Sequence, residues 1–151
     1  MTRLARLALA LAPALLVPAC GSSESHAVDD FLDGVDGYYR QVCECDHDNV
    51  VLLAILGKLP YASQDACRDD LPVDSAERGC VEGLFADEEV DYGGVLECRA
   101  AASSRASSCL NSKTCTDTAR GDCHSQLVDE LEDCDSLPSD IEARLNDCLH
   151  N

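Results

Sequence analysis

The segment Cys43-Glu44-Cys45-Asp46-His47 places two sulfur atoms and an imidazole close together in the chain. Thiolates and imidazoles bind zinc, and a close pair of thiols can exchange disulfides. Structural zinc sites space their cysteines by two to four residues and require a second pair of ligands, which does not stand out in this sequence. A bridge between Cys43 and Cys45 across a single residue would be strained. We therefore predict that each cysteine bonds to a distant one, and keep thiol–disulfide redox chemistry at Cys43 and Cys45 as an alternative function.

A second chemically suggestive segment is acidic. Four carboxylates precede two glycines: Asp87, Glu88, Glu89 and Asp91. Carboxylate oxygens bind Ca²⁺, but the EF-hand loop requires Gly at its sixth position and Glu at its twelfth. Counted from Asp87, those positions hold Tyr92 and Cys98. The sequence therefore predicts no defined metal site, and divalent-cation binding by these four carboxylates is kept as a further alternative.

Catalytic patterns are not found. The chain contains no Gly-x-Ser-x-Gly, His-Glu-x-x-His or phosphate-binding loop. His47, His124 and His150 are separated in the sequence, and we predict that they lie at the surface. With no nucleophile, base and orienting group brought together, we predict no catalytic residues, no cofactor, no small-molecule substrate and no enzymatic activity.

The first residues of the chain have the composition of an export signal. Arg3 and Arg6 precede an apolar run over residues 7–17, and the small residue Ala19 precedes Cys20. A basic region, a short apolar core and a small residue at the cleavage site are the three parts of a secretory signal peptide. The apolar run is too short to span a bilayer, which takes about 20 apolar residues. We predict that residues 1–19 are a cleaved signal peptide.

The cleavage site adds a second feature. Val17-Pro18-Ala19-Cys20 resembles the lipobox of bacterial lipoproteins. This resemblance implies cleavage before Cys20 and acylation of that residue, for example with palmitate, which would anchor the protein in a membrane. Gly21 stands where an inner-membrane retention signal would carry Asp, which implies the outer membrane, facing the periplasm or the cell surface. Cleavage without acylation would instead leave Cys20 as a free thiol.

The cysteine count agrees with this assignment. Eleven is an odd number, so one cysteine stays outside any intramolecular pairing. Ten cysteines in the 131 residues after Cys20 indicate an oxidising compartment. We predict five disulfides, whose pairing the sequence leaves open, among Cys43, Cys45, Cys67, Cys80, Cys98, Cys109, Cys115, Cys123, Cys134 and Cys148.

The charge is strongly acidic. Without Arg3 and Arg6, nine basic residues face 29 acidic ones, a formal charge of −20. This balance argues against nucleic acid, which is bound mainly by Lys and Arg, and against adsorption to an anionic lipid surface. It favours solubility and, as a sharper hypothesis, a basic protein partner.

Patterning predicts an all-α domain over residues 28–151, after the acylated Cys20 and a flexible tether that ends at residue 27. Val28, Leu32, Val35, Tyr39 and Val42 recur with helical spacing. Asp74 with Glu77 and Ser139 with Glu142 have the spacing of capping boxes, and Asp122 is a candidate cap for the helix between them. We expect five or six short helices cross-linked by about five disulfides.

Cys98 and Cys109 fall within one of these predicted helices. Eleven residues bring them to the same face but about 16 Å apart along the axis. A disulfide requires Cα atoms within about 7 Å. We therefore predict that the two cysteines bond to different positions on neighbouring helices.

The aromatic residues suggest where the core lies. All six precede residue 93, whereas six of the ten cysteines lie from Cys98 onward. We therefore expect the hydrophobic core in the N-terminal segment, and a C-terminal segment that depends on its disulfides.

The domain also resembles small cysteine-rich helical lipoproteins of unknown role, through its Cys-x-x-x-Leu-Pro and Cys-x-x-Leu-Pro segments. That resemblance implies no activity. Together these observations predict a non-catalytic cell-envelope lipoprotein that presents a rigid acidic domain to a protein partner.

Overall fold

The computed structural model of the protein describes residues 23–86, 88 and 90–150, without the side chains of residues 23, 24 and 150. Within this part of the chain there are seven helices and no strand. The helices are α1 (Ser23–Cys45), α2 (Val50–Ile55), α3 (Gln64–Asp70), α4 (Ser75–Ala86), α5 (Gly93–Asn111), α6 (Arg120–Glu132) and α7 (Ser139–His150). The predicted all-α fold is confirmed.

The two longest helices, α1 and α5, pack against each other through the middle of the molecule. Gly34 of α1 makes their close approach feasible. A Cβ atom at this position would lie 2.9 Å from the carbonyl oxygen of Ala100 and 3.3 Å from its Cα atom. Near the same crossing, the Ser107 hydroxyl donates a hydrogen bond to the carbonyl of Gly37 over 3.1 Å. The other helices pack around this central pair.

The core consists of two clusters, which lie on different stretches of α1. Cluster 1 joins the first half of α1 to α4, α5 and α7, and its members include Phe31, Leu32, Phe85, Leu96, Ile141 and Leu145. Cluster 2 joins the second half of α1 to α2, α3, α5 and α6, and its members include Tyr38, Tyr39, Val42, Leu53, Leu71, Leu110 and Leu127.

This arrangement corrects the expected placement of the core. The C-terminal segment supplies Ile141 and Leu145 to cluster 1 and Leu110 and Leu127 to cluster 2. Because α1 and α5 come from different halves of the chain and pack together, each cluster mixes both halves. Aliphatic residues at helical spacing supply the buried side chains of the C-terminal segment, which the count of aromatic residues did not predict.

The predicted tether is also shorter in the structure. Residues 23–27 already belong to α1, and Ala27 and Val28 are buried in cluster 1. Their burial stabilises the first turns of α1. The remaining tether residues and Cys20 lie outside the described residues.

The predicted capping residues at the starts of the helices are confirmed only in part. The Asp74–Glu77 capping box is confirmed, because the Glu77 carboxylate accepts from the Asp74 amide over 2.8 Å and Asp74 Oδ1 accepts from the Glu77 amide over 2.8 Å. Asp122 is not a cap, since α6 begins at Arg120 and places it in the first turn. In the predicted Ser139–Glu142 box, the Glu142 carboxylate accepts two hydrogen bonds from Arg99, at 3.0 and 2.8 Å.

The ten cysteines after Cys20 form five disulfides. The pairs are Cys43–Cys67, Cys45–Cys115, Cys80–Cys148, Cys98–Cys134 and Cys109–Cys123. The prediction that Cys98 and Cys109 bond to different partners is confirmed. Of the described helices, α2 alone contains no cysteine. None of the described helices is long and apolar enough to cross a bilayer.

Candidate functional site

The cysteines of the Cys43–His47 segment point to different parts of the molecule. Cys43 is fully buried and bonds to Cys67 of α3, whereas Cys45 bonds to Cys115 between α5 and α6. The carbonyl of His47 accepts a hydrogen bond from the Tyr61 amide over 2.8 Å, and its Nδ1 atom is buried without a hydrogen-bond partner. In this structure the segment therefore joins three parts of the fold and does not converge on a common ligand.

The predicted acidic candidates are only partly described, because Asp87 and Glu89 lie outside the described residues. Glu88 accepts a hydrogen bond from Arg144 over 2.8 Å, and Asp91 accepts one from the Gly93 amide over 2.8 Å. Both described carboxylates are thus engaged by groups of the protein itself. Across the described residues, no group of three or more His, Cys, Asp or Glu side chains is arranged to hold a metal ion.

A buried polar network that the sequence did not predict lies beside cluster 2. Its centre is Arg120 of α6, which is 4% exposed. Arg120 donates to the carboxylate of Asp46 and, over 3.1 Å each, to the carbonyls of Leu110 and Gln41. One side chain therefore ties the end of α1 to α5 and α6. A buried guanidinium needs partners of this kind, because an unpaired buried charge is very costly.

His124 extends the network, and its predicted surface position is wrong. Its side chain is 14% exposed. Nδ1 lies 2.9 Å from the Tyr38 hydroxyl, and Nε2 lies 3.4 Å from Oδ2 of Asp46. These partners are separated from His124 by more than 70 residues along the chain. No local pattern signals such a contact, because it arises only where α1 and α6 both pack against α5.

The burial of this region changes its acid–base properties. Burial raises the pKa of Tyr38 above its ordinary range and raises the pKa of Tyr39 to about 12. Burial alone would also raise the pKa of Asp46, but His124 and Arg120 together outweigh it and hold that pKa below its ordinary value. Tyr38 is therefore a neutral donor and acceptor at neutral pH, and Asp46 is an anion paired with Arg120. Tyr38, His124 and Asp46 are in contact, but Tyr38 is too deeply buried for a substrate to reach its hydroxyl.

The surface offers an open acidic cleft of about 420 Å³. Five carboxylates and one ammonium group line it: Asp69, Asp70, Asp74, Glu77, Asp147 and Lys58. The Cys80–Cys148 disulfide contributes to its wall. A concave surface with this excess of one sign of charge concentrates the electrostatic field and attracts basic side chains.

Nearly all of the basic residues form ion pairs with carboxylates of the protein itself. Of the nine Lys and Arg residues after Cys20, eight lie within 4.0 Å of a carboxylate. Ten different carboxylates share these eight cations. With 29 acidic residues in total, the field outside the protein is therefore set by carboxylates.

Comparison with known protein families, with curated protein sequences and with solved structures finds no significant match to this chain.

Proposed function

We propose that the protein is a non-catalytic lipoprotein of the bacterial cell envelope, anchored through Cys20 in the outer membrane, which presents a rigid acidic domain to a basic protein partner. The observation that carries the proposal is the distribution of charge on the cross-linked fold. Eight of nine cations are neutralised by the domain's own carboxylates, so a partner meets a negative surface. Surfaces of this kind accelerate the association of basic partners.

Rigidity supports the same proposal. The disulfides join α1 to α3, α4 to α7 and α5 to α6, and two more hold the connections that flank α6. A surface held in one geometry loses little conformational entropy when it binds, which favours affinity. Such cross-links also stabilise a small exported domain by limiting its unfolded state.

The anchor is tested by cell fractionation of wild type and Cys20→Ala. We expect the wild type in the outer-membrane fraction, with an acylated N-terminal peptide in mass spectrometry, and the variant in the soluble fraction. A soluble wild-type protein whose N-terminal peptide carries no lipid would overturn the anchor.

The interaction is tested with the lipidated protein as bait in an envelope extract. A direct partner should bind again when purified, and its affinity should fall as salt rises, because exposed charges are screened beyond about 8–10 Å at physiological ionic strength. A bait that retains no partner under these conditions would contradict the interaction function without affecting the test of the anchor.

A further inference from the structure

Helix α2 has an apolar outer face. Its inner residues Leu52 and Leu53 are buried in cluster 2. The outward side chains, here called the α2 ridge, are Val50, Val51, Ile55 and Leu59, the last of which lies just beyond the helix. They are 63%, 72%, 68% and 83% exposed. A helix that is apolar on every side is ordinarily covered, and adjoining exposed apolar side chains mark interaction surfaces.

The chain around the ridge is folded back on itself. The Tyr61 amide donates to the carbonyl of His47 over 2.8 Å, so the segments before and after α2 meet at its base. The Tyr61 hydroxyl donates to Asp70 over 2.6 Å, and Lys58 lies 4.0 Å from the same carboxylate. The ridge is thus held in place although α2 contains no cysteine.

The ridge adjoins the acidic cleft. Lys58 lines the cleft and directly precedes Leu59 of the ridge. Asp69 and Asp70 line the same cleft, and the exposed Asp48 precedes the Asn49 cap of α2. The basic groups nearby are already occupied, since Lys58 faces Asp70 and Arg68 is paired with Glu44. The ridge and the concave acidic surface therefore meet where Leu59 follows Lys58.

The apolar ridge and the acidic cleft together determine which kind of molecule can bind to both. A second copy of the chain would bring one acidic surface against another, which opposes association. An anionic lipid surface is repelled for the same reason. A protein segment that combines apolar side chains with neighbouring Lys or Arg matches both features, because its apolar side covers the ridge while its cations enter the cleft.

We propose that the α2 ridge and the acidic cleft together form the docking site for an amphipathic basic segment of the protein partner. The inference rests on the proposed interaction function and names the surface that performs it. Hydrophobic burial at the ridge supplies affinity, and the carboxylates select cations and speed encounter.

The test uses two short synthetic amphipathic helical peptides, one of Leu and Lys and one of Leu and Glu, in fluorescence anisotropy. The protein is the full chain with Cys20→Ala, so that no lipid competes for the peptide and the result does not depend on the anchor. We expect the Leu–Lys peptide to bind and the Leu–Glu peptide not to bind. Binding should weaken about tenfold or more in Val51→Ser/Ile55→Ser and severalfold in Asp69→Asn.

Matched controls separate docking from general attraction of a cationic peptide to an acidic protein. Val90→Ser removes an exposed valine outside the ridge, and Asp129→Asn removes an exposed carboxylate of α6. Both controls should leave the affinity unchanged. If Val51→Ser/Ile55→Ser bound the Leu–Lys peptide as tightly as the protein with an unsubstituted ridge, charge alone would explain binding and the proposal would be overturned.

A second copy as the occupant would appear in sedimentation velocity. We expect the Cys20→Ala protein to be a monomer. A dimer that Val51→Ser/Ile55→Ser converts to monomer would overturn the choice of a basic partner.

Discussion

The two hydrophobic clusters lie along the same central helix pair but are stabilised in different ways. Cluster 1 is filled by bulky side chains such as Phe31, Phe85 and Leu145, with a single half-cystine, Cys148. Cluster 2 contains three half-cystines among its leucines and tyrosines, and the Arg120 network lies beside it. One end of the molecule thus depends mainly on apolar packing, and the other combines apolar packing with covalent bonds and a buried ion pair.

Arg120→Met is expected to have the largest effect, since it leaves Asp46 buried without its cation and removes one donor each from the carbonyls of Leu110 and Gln41. We expect a loss of about 3–5 kcal/mol in the free energy of unfolding, measured by urea denaturation. The matched control is Arg105→Met, which removes an exposed ion pair with Glu130 and should cost about 1 kcal/mol or less. Similar losses in the two variants would show that the buried network contributes no more than a surface pair.

Leu145→Ala tests cluster 1 by creating a cavity. Leu145 is almost fully buried. A buried Leu-to-Ala change costs about 2–5 kcal/mol because apolar contact is lost and the site collapses only in part. The loss should be similar at pH 5 and pH 8. A loss of less than 1 kcal/mol in urea denaturation would contradict tight packing at this end.

These positions show which features of the fold can be predicted from the sequence and which cannot. Helical spacing and capping patterns predict α1 and α4, because both signals are local. The number of cysteines after Cys20 indicates an oxidising compartment and predicts five disulfides, but their pairing depends on how the helices pack. The Arg120 network joins residues about 80 positions apart, so no local pattern could reveal it. The exposure of Val51 and Ile55 could not be predicted either, because the sequence shows only an apolar run.

Gly34→Ala probes the boundary between the two clusters. The added methyl group would meet the backbone of Ala100 at 2.9 Å. Overpacking of this kind costs about 1–3 kcal/mol, which leaves a net loss of about 0–2 kcal/mol after the gain in helix propensity. Gly79→Ala in α4 is the control, because its Cβ would meet no atom within 4 Å. It should raise stability by about 0.5–1 kcal/mol. A stabilising Gly34→Ala would contradict the close approach of α1 and α5.

The smallest expected effect is on alkaline stability. Burial raises the pKa of Tyr39 in the folded state to about 12, whereas the unfolded value is about 10. The stabilisation from Tyr39 is therefore complete below pH 10 and is lost as the pH rises through 12. At pH 11 the loss should be about 1 kcal/mol relative to pH 8.

Tyr39→Phe tests that effect, since it removes the ionisable group and should lose less stability between pH 8 and pH 11 than the wild type. Brief exposure and a free-thiol assay establish that the disulfides remain intact. Equal losses in both proteins would show that Tyr39 does not contribute to the alkaline sensitivity of cluster 2.

Hydrogen exchange on the fully reduced protein tests the central difference between the clusters most directly. Reduction breaks two disulfides at cluster 2 and one at cluster 1, whose bulky packing stays largely intact. We predict that α6 (Arg120–Glu132) loses its amide protection before α7 (Ser139–His150), although both belong to the C-terminal segment. Simultaneous loss in α6 and α7, with protection retained throughout α1, would contradict this account and show that the two halves of the chain, not the two clusters, are the units of stability.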